Sequence, residues 1–309
     1  MIEKDILFVF GAPRSGTTYI NGLLREHFDF GLCSEGQWVL PMGYRASRFG
    51  DLRVDANLEK MIDVTLKDYM FEHFRTVIAE RLGRPVDITP EDIYKNLSER
   101  SFSGVVYAIF LTAAQHMGKS RVGNKCPGYW KDLPSLLRWF PKAKFLHVLR
   151  DGRDVALSLK GRDWGPTTTY GAAKMWCRVQ SAATEFESIV PSQQYFCLKY
   201  EDLLREPSTI VPQLECFLEI PYKAAKRERL CRDIETSPLR NNFGKWHTQM
   251  SDRDQREHEF IAGDWLRLQG YDLRFNNPAV GKLTIFRFQI REMFDRIIRT
   301  FRLVRHAKP

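Results

Sequence analysis

A chain of 309 residues with 43% hydrophobic content can bury one large α/β core or two small ones, which excludes a disordered segment or a disulfide-stapled miniprotein. Its formal net charge of +9 favours an anionic ligand, an acidic surface or nucleic acid as partner but selects no function by itself. The cysteines, Cys33, Cys126, Cys177, Cys197, Cys216 and Cys231, show neither C-x2-C nor Cys/His ligand spacing, so they are expected to be reduced core residues, with no metal site.

Met1 is followed almost at once by the first expected strand, which leaves no room for a signal peptide or anchor and points to the cytosol. Ile6 to Phe10 is an unbroken apolar run of strand length, as suits a strand buried on both faces of a parallel sheet. A turn bounded by Gly11 and Gly16 follows, then a helix begun by Thr17, Thr18, Ile20, Leu23 and Leu24. The free amides and partial positive charge of that helix end attract an anion. The G-x4-G spacing is that of a phosphate-binding loop, but Thr17 stands where a nucleotide-hydrolysing loop carries lysine, and the cation inside the loop is Arg14.

Gly31 to Gly50 is expected to be loop, with Glu35 as its one acidic residue. Apolar residues at helical period predict an amphipathic helix over Asn57 to Leu82, interrupted by Arg84-Pro85. Thr89-Pro90-Glu91-Asp92 is a helix start, and a further helix is expected from Phe102 to Met117. Together these form a helical insertion over about residues 55 to 118 that could build an acceptor pocket. The sheet resumes at Arg121 to Asn124, ending in Lys125 and then Cys126-Pro127. Ala143 to Leu149 is the next strand, and it delivers Arg150-Asp151-Gly152-Arg153-Asp154 into a helix containing Ser158. A magnesium-dependent nucleotidase would more naturally place Asp at that strand end, so Arg150 argues for a second phosphate.

Gly171 to Ile189 is expected to be helical and Gln194 to Leu198 a strand, followed by Tyr200-Glu201-Asp202-Leu203. Helices over Pro207 to Phe217 and Tyr222 to Cys231 precede a polar, basic loop from Ser237 to Trp246 that contains Arg240, Gly244 and Lys245. A helix over Arg253 to Leu268 ends in Gly270-Tyr271. In the tail, 276–309, Phe286, Ile290, Met293, Phe294, Ile297, Phe301 and Val304 form one stripe, with Arg287, Arg291, Arg296, Arg299, Arg302 and Arg305 between them. A basic amphipathic C-terminal helix of this kind can lie on an anionic membrane, or pack on the domain or a second subunit as a homodimer; packing is the first expectation.

The segment GAPRSGTTYI resembles the 5′-phosphosulfate loop of sulfotransferases, which take a sulfuryl group from 3′-phosphoadenosine 5′-phosphosulfate (PAPS) and release the 3′,5′-bisphosphate (PAP). The resemblance implies that Arg14 touches the transferring group while Ser15, Gly16, Thr17 and Thr18 hold the 5′-phosphate. FLHVLRDGRDVALS is similar to the family's 3′-phosphate element, with Arg150 and Ser158 as its ligands. Lys125-Cys126-Pro127 resembles the K-[T/S]-P element, which places Lys125 near the transferred group. The Y-E-D-L likeness lets Tyr200 meet adenine, with packing as its equal alternative. Arg240, Gly244 and Lys245 resemble the late loop that completes the 3′-phosphate pocket. The implied fold is three-layer α/β/α, P-loop-like, around a central parallel sheet, with residues 1–275 as the sulfotransferase domain and no metal required.

Sulfuryl transfer needs stabilisation of the leaving phosphate and a base for the acceptor. Arg14 and Lys125 fit the first role. Many family members place a histidine two residues after the lysine, where this chain has Pro127. The resemblance to tyrosylprotein sulfotransferases and their bacterial relatives, which use a Glu in the loop after the first helix, implies Glu35 as the base, with His73 and His116 as alternatives. His147, in a buried-strand pattern, is expected to be structural. The acceptor, a glycan, lipid or other small molecule such as a phenol, should be met by residues 35 to 118 and 160 to 175, and nucleic acid is not expected as a partner. The expected location is cytoplasmic, with the inner membrane surface as an extension of it. Two other classes fit parts of the pattern: an atypical P-loop kinase or NTPase, and a non-catalytic polyanion- or membrane-binding module.

Overall fold

All six residues of β1 (Ile6–Gly11) are buried, because an apolar run without alternation is satisfied only when both faces of the strand are covered. The computed structural model describes residues 6–162, 164–220, 223–276, 278–291 and 293–294. Four more strands join β1: β2 (Phe30–Ser34), β3 (Arg121–Lys125), β4 (Lys144–Leu149) and β5 (Tyr195–Lys199). They form one parallel sheet in the order β2-β3-β1-β4-β5. Ser34 and Val9 both lie opposite Lys125, and Gly11 lies opposite Val148, so the carboxyl ends of four strands meet at one edge. Ligands of open parallel sheets bind beyond that edge.

The chain divides into two compact units. The first comprises Met1–Gly11, Gly16–Leu149 and Ala182–Thr236 and holds the sheet. In chain order its helices include α1 (Thr17–His27), α2 (Val39–Arg45), α3 (Asp55–Leu66), α4 (Tyr69–Leu82), α5 (Pro90–Asn96), α6 (Phe102–His116) and α7 (Leu133–Trp139). The second unit comprises Ala12–Ser15, Arg150–Ser181 and Ser237–Pro309 and contains α8 (Gly152–Leu159). α9 (Thr169–Glu187) begins in the second unit and ends in the first, which also contains α10 (Tyr200–Arg205), α11 (Pro207–Leu218) and α12 (Ala224–Glu235). The second unit adds α13 (Trp246–Gln249), α14 (Asp252–Leu268) and a helix over 282–291. Among the described residues no helix is long and apolar enough to cross a membrane.

On one face of the sheet Phe8 packs its ring against Tyr129, Phe140 and Phe145, at centroid distances of 5.2, 5.2 and 5.7 Å. The same core takes in Leu58, Phe74 and Ile109 from the helical insertion. Leu7 and Val9, which point the other way, are buried as well, so helices flank both faces.

Three local expectations change. The helix expected over Asn57 to Leu82 is two helices, because Asp68 accepts the Met70 N–H at 2.8 Å and caps α4. The expected loop after Gly31 contains β2 and α2; Gly31 belongs in a strand because a Cβ there would stand 2.2 Å from that of Ala114 on α6. The cysteines are all free, but only Cys33 and Cys126 are core residues, whereas Cys197 and Cys216 are exposed on the edge strand and on α11.

The second unit is built on a buried ion network. The Arg153 guanidinium donates to both Asp151 oxygens at 3.0 and 2.8 Å and to Glu259 at 2.7 Å, and it lies 3.5 Å from the Trp246 ring centroid. Asp151, Arg153 and Asp154, in the charged stretch after β4, are all buried. Arg153→Ala should cost about 3–5 kcal/mol, since it removes the counter-charge of two buried carboxylates. Urea unfolding would measure this, and a loss below about 1 kcal/mol would contradict it.

Candidate active site

In the first unit, β2 and β3 run side by side and bring Glu35, just past the end of β2, to Lys125, the last residue of β3. The Lys125 ammonium, 5% exposed, donates to Glu35 Oε1 at 2.7 Å, and the Glu35 N–H donates to the Lys125 carbonyl at 2.8 Å. Gln37 Nε2 donates to the other carboxylate oxygen at 3.1 Å. Glu35 is held in the left-handed region (φ 67°), a conformation that costs a non-glycine residue energy and is concentrated at functional sites. Its neighbour Gly36 is fixed by close packing, since a Cβ there would lie 2.3 Å from Asn124 Oδ1 and from the Tyr129 hydroxyl, themselves hydrogen-bonded at 2.7 Å. The carboxylate is thus placed by backbone, glycine and ammonium together, with 23% of its side chain open to solvent.

Thr17 and Thr18 open α1, whose N-cap is Gly16 at φ 97° and whose first turn holds no acidic residue. Tyr200, 1% exposed, lies against this turn: a Cβ on Gly16 would stand 2.4 Å from its ring. Tyr200 therefore packs against Gly16, and its contact with adenine stays a proposal. His147 is buried, with Nδ1 at 3.0 Å from the Tyr195 hydroxyl, and burial lowers its pKa to about 3. It is neutral and structural, as expected. His73 is exposed on α4, and His116 Nε2 lies 3.0 Å from the Asp87 carbonyl.

In the second unit, Arg14 (φ 72°) directs its Nε–H to Ser158 Oγ at 3.0 Å. Arg150, 5% exposed, donates to the Arg14 carbonyl at 3.1 Å and the Asn242 carbonyl at 2.6 Å. Partial burial, with Arg162 and Arg150 adding like charge, lowers the Arg14 pKa. Three guanidiniums therefore share one region, which an anion would relieve. Ser15 is fully buried and its Oγ has no hydrogen-bond partner among the described residues. Gly244 (φ 66°) gives its N–H to Asp154 at 2.6 Å, so that amide is committed within the protein, while Arg240 and Lys245 lie exposed on the same loop. Asp154 and Arg162 were not singled out from sequence; the position of Asp154 four residues after Arg150 and four before Ser158 was the available signal.

A family model described as "Sulfotransferase family" matches residues 6–224. Protein-tyrosine sulfotransferase A of Caenorhabditis elegans is 24% identical over 307 residues, spanning 90% of this chain and 70% of its own length. Protein-tyrosine sulfotransferase 1 of Danio rerio is also 24% identical, over 91% of this chain and 76% of its own. Among solved structures, the sulfotransferase domain of the Synechococcus PCC 7002 olefin synthase shares the fold, with a TM-score of 0.53 at 19% identity, covering 87% of this chain and 96% of that domain. The chain belongs to the sulfotransferase family. It is a PAPS-dependent enzyme that moves a sulfuryl group to a small-molecule acceptor.

Proposed function

We propose that Glu35 is the general base of sulfuryl transfer to a hydroxyl acceptor, a reading carried by its 2.7 Å pairing with Lys125 in a strained backbone conformation. The residues of the Gly11–Thr18 turn have the chemistry for an anionic donor: Ser15 Oγ is buried without a partner among the described residues, Arg14 is cationic, and the first turn of α1 carries no acidic residue. Arg14 and the Ser15 to Thr18 amides and hydroxyls hold the 5′-phosphosulfate, Arg150, Ser158 and the Arg240 to Lys245 loop hold the 3′-phosphate, and Tyr200 supports the turn through Gly16. PAPS, when bound, supplies the electrophilic sulfuryl group and a phosphate leaving group. Glu35 takes the acceptor proton on its carboxylate, with Lys125 Nζ paired beside it. Stabilisation of the leaving phosphate by Arg14 and Lys125 is what the family resemblance implies. A phenol is the first acceptor to assay, because both named relatives are tyrosine sulfotransferases; sugar and lipid hydroxyls follow.

Calorimetric titration should show PAP binding at least about tenfold more tightly than Mg-ATP, because Arg150 is assigned to a 3′-phosphate that ATP lacks and Thr17 replaces the lysine that grips a γ-phosphate. Equal binding, or preference for Mg-ATP, would overturn the donor assignment.

A peripheral membrane role for the tail has its own support. Leu283, Phe286, Met293 and Phe294 are 64, 57, 53 and 55% exposed, while Phe288 stacks on Tyr170 with ring centroids 5.5 Å apart. The helix thus rests on Phe288 and presents much of its apolar stripe outward, contrary to packing of that stripe on the unit. Ile297, Phe301, Val304 and Arg296 to Arg305 lie outside the described residues. The arginines interleaved with the stripe suit an anionic bilayer better than a second copy of the same basic helix. The chain should sediment with vesicles containing phosphatidylglycerol but not with pure phosphatidylcholine, and Phe286→Glu with Phe294→Glu should abolish this. Concentration-dependent dimers without vesicle binding would favour a homodimer instead.

A further inference from the structure

Asp154 sits at the third position of α8, where an acidic residue ordinarily turns back to the helix cap and benefits from the positive end of the helix. Here Asp151 serves as the cap, accepting the Arg153 N–H at 2.8 Å, and Asp154 reaches outward. Its Oδ2 accepts the Gly244 N–H at 2.6 Å and its Oδ1 accepts the Trp246 N–H at 3.0 Å. Arg150 Nη2 stands 3.9 Å from the same carboxylate, four residues earlier in the chain, and Ser158 follows four residues later on the same face of α8. Asp154 is 2% exposed.

A buried carboxylate between two ligands for a phosphate would oppose binding through like charge, unless its oxygens are committed elsewhere. Both are: each takes a backbone N–H of one turn, and the nearby guanidinium offsets the remaining charge. We propose that Asp154 is the positioning residue of the 3′-phosphate site, fixing the Gly244–Trp246 turn and the Arg150 guanidinium in one constellation so that the 3′-phosphate is read as a distinct group. The proposal rests on the donor assignment above. Asp154 touches the positioning groups and not the nucleotide. The left-handed Gly244 supplies the bend that lets two amides separated by one residue face a single carboxylate.

The test compares the gain in affinity conferred by the 3′-phosphate, read as the ratio of AMP to PAP dissociation constants, in the parent and in Asp154→Asn. Asparagine keeps the volume but offers one acceptor and no charge. The ratio should fall by about tenfold or more, with AMP affinity within about threefold of the parent, since hydrogen bonds to a charged group are the ones lost. A parent-like ratio in Asp154→Asn, or equal weakening of both ligands with the ratio intact, overturns the proposal; the second pattern would mark Asp154 as merely structural. A parent that does not distinguish PAP from AMP would instead refute the donor assignment on which the proposal rests. If the asparagine variant does not fold, Asp154→Ser is measured in the same way.

Discussion

Glu35→Gln should retain PAP binding and lose sulfuryl transfer, with kcat reduced by about a hundred- to ten-thousand-fold, the range expected when a positioned base is removed. Glutamine preserves the side-chain length and still offers a carbonyl oxygen to Lys125 Nζ, so the 2.7 Å contact can persist while the proton acceptor disappears. The exchange also weakens a charge-assisted hydrogen bond to a buried ammonium, so a stability loss of about 1–3 kcal/mol accompanies it. Activity is therefore compared well below the unfolding midpoint, with PAP affinity as the check on folding. Single-turnover rates with labelled PAPS separate the chemical step from product release. His73→Ala and His116→Ala should leave kcat within about twofold of the parent, since His73 is exposed on α4, His116 Nε2 lies 3.0 Å from the Asp87 carbonyl, and neither is a required proton acceptor in this scheme. A fully active Glu35→Gln enzyme would refute the base assignment, and collapse of activity in either histidine variant would transfer the role.

Arg150→Ala should weaken PAP by about 2–3 kcal/mol, some thirty- to 150-fold, while AMP binding changes little. The magnitude follows from the loss of a charge-assisted contact in a site where Arg150 is almost fully buried and already oriented by the Arg14 and Asn242 carbonyls. Pre-orientation matters because a guanidinium held by two acceptors loses little further freedom when a phosphate arrives. Arg150→Lys retains the charge but cannot keep the forked geometry, so it should fall between parent and alanine. A PAP affinity unchanged in Arg150→Ala would remove this residue from the 3′-phosphate site and leave it as a support for the Arg14 and Asn242 backbone.

These expectations depend on different kinds of information. The strand-to-helix order around Gly11 to Thr18 and around Arg150 to Ser158 was legible because each is local: an apolar strand, a turn or cation, and a helix follow one another without interruption. Local order of this kind is set by periodicity, glycine freedom and helix-end electrostatics, all of which act over a few residues. The strand β2 was not legible, because its short glycine-containing sequence is stabilised by Ala114 on a helix some eighty residues away. The separation of α3 from α4 was missed for a smaller reason: a periodic apolar pattern continues across Asp68, whose capping bond interrupts the helix without disturbing that pattern.

The sequence by itself determined the apolar run of β1, the lysine-free G-x4-G turn with Arg14 inside it, the arginine just after β4 and the family to which these belong. It named Glu35 and Lys125 separately but could not join them. Only the tertiary structure did so, because parallel register places Ser34 opposite Lys125 and thereby sets two residues ninety positions apart within one hydrogen bond. It likewise decided that Asp154 is spent on the Gly244 and Trp246 amides and that Arg153 is buried beneath Trp246. A charged side chain in a sequence carries no record of its partners; burial makes those partners obligatory, and the fold determines which they are.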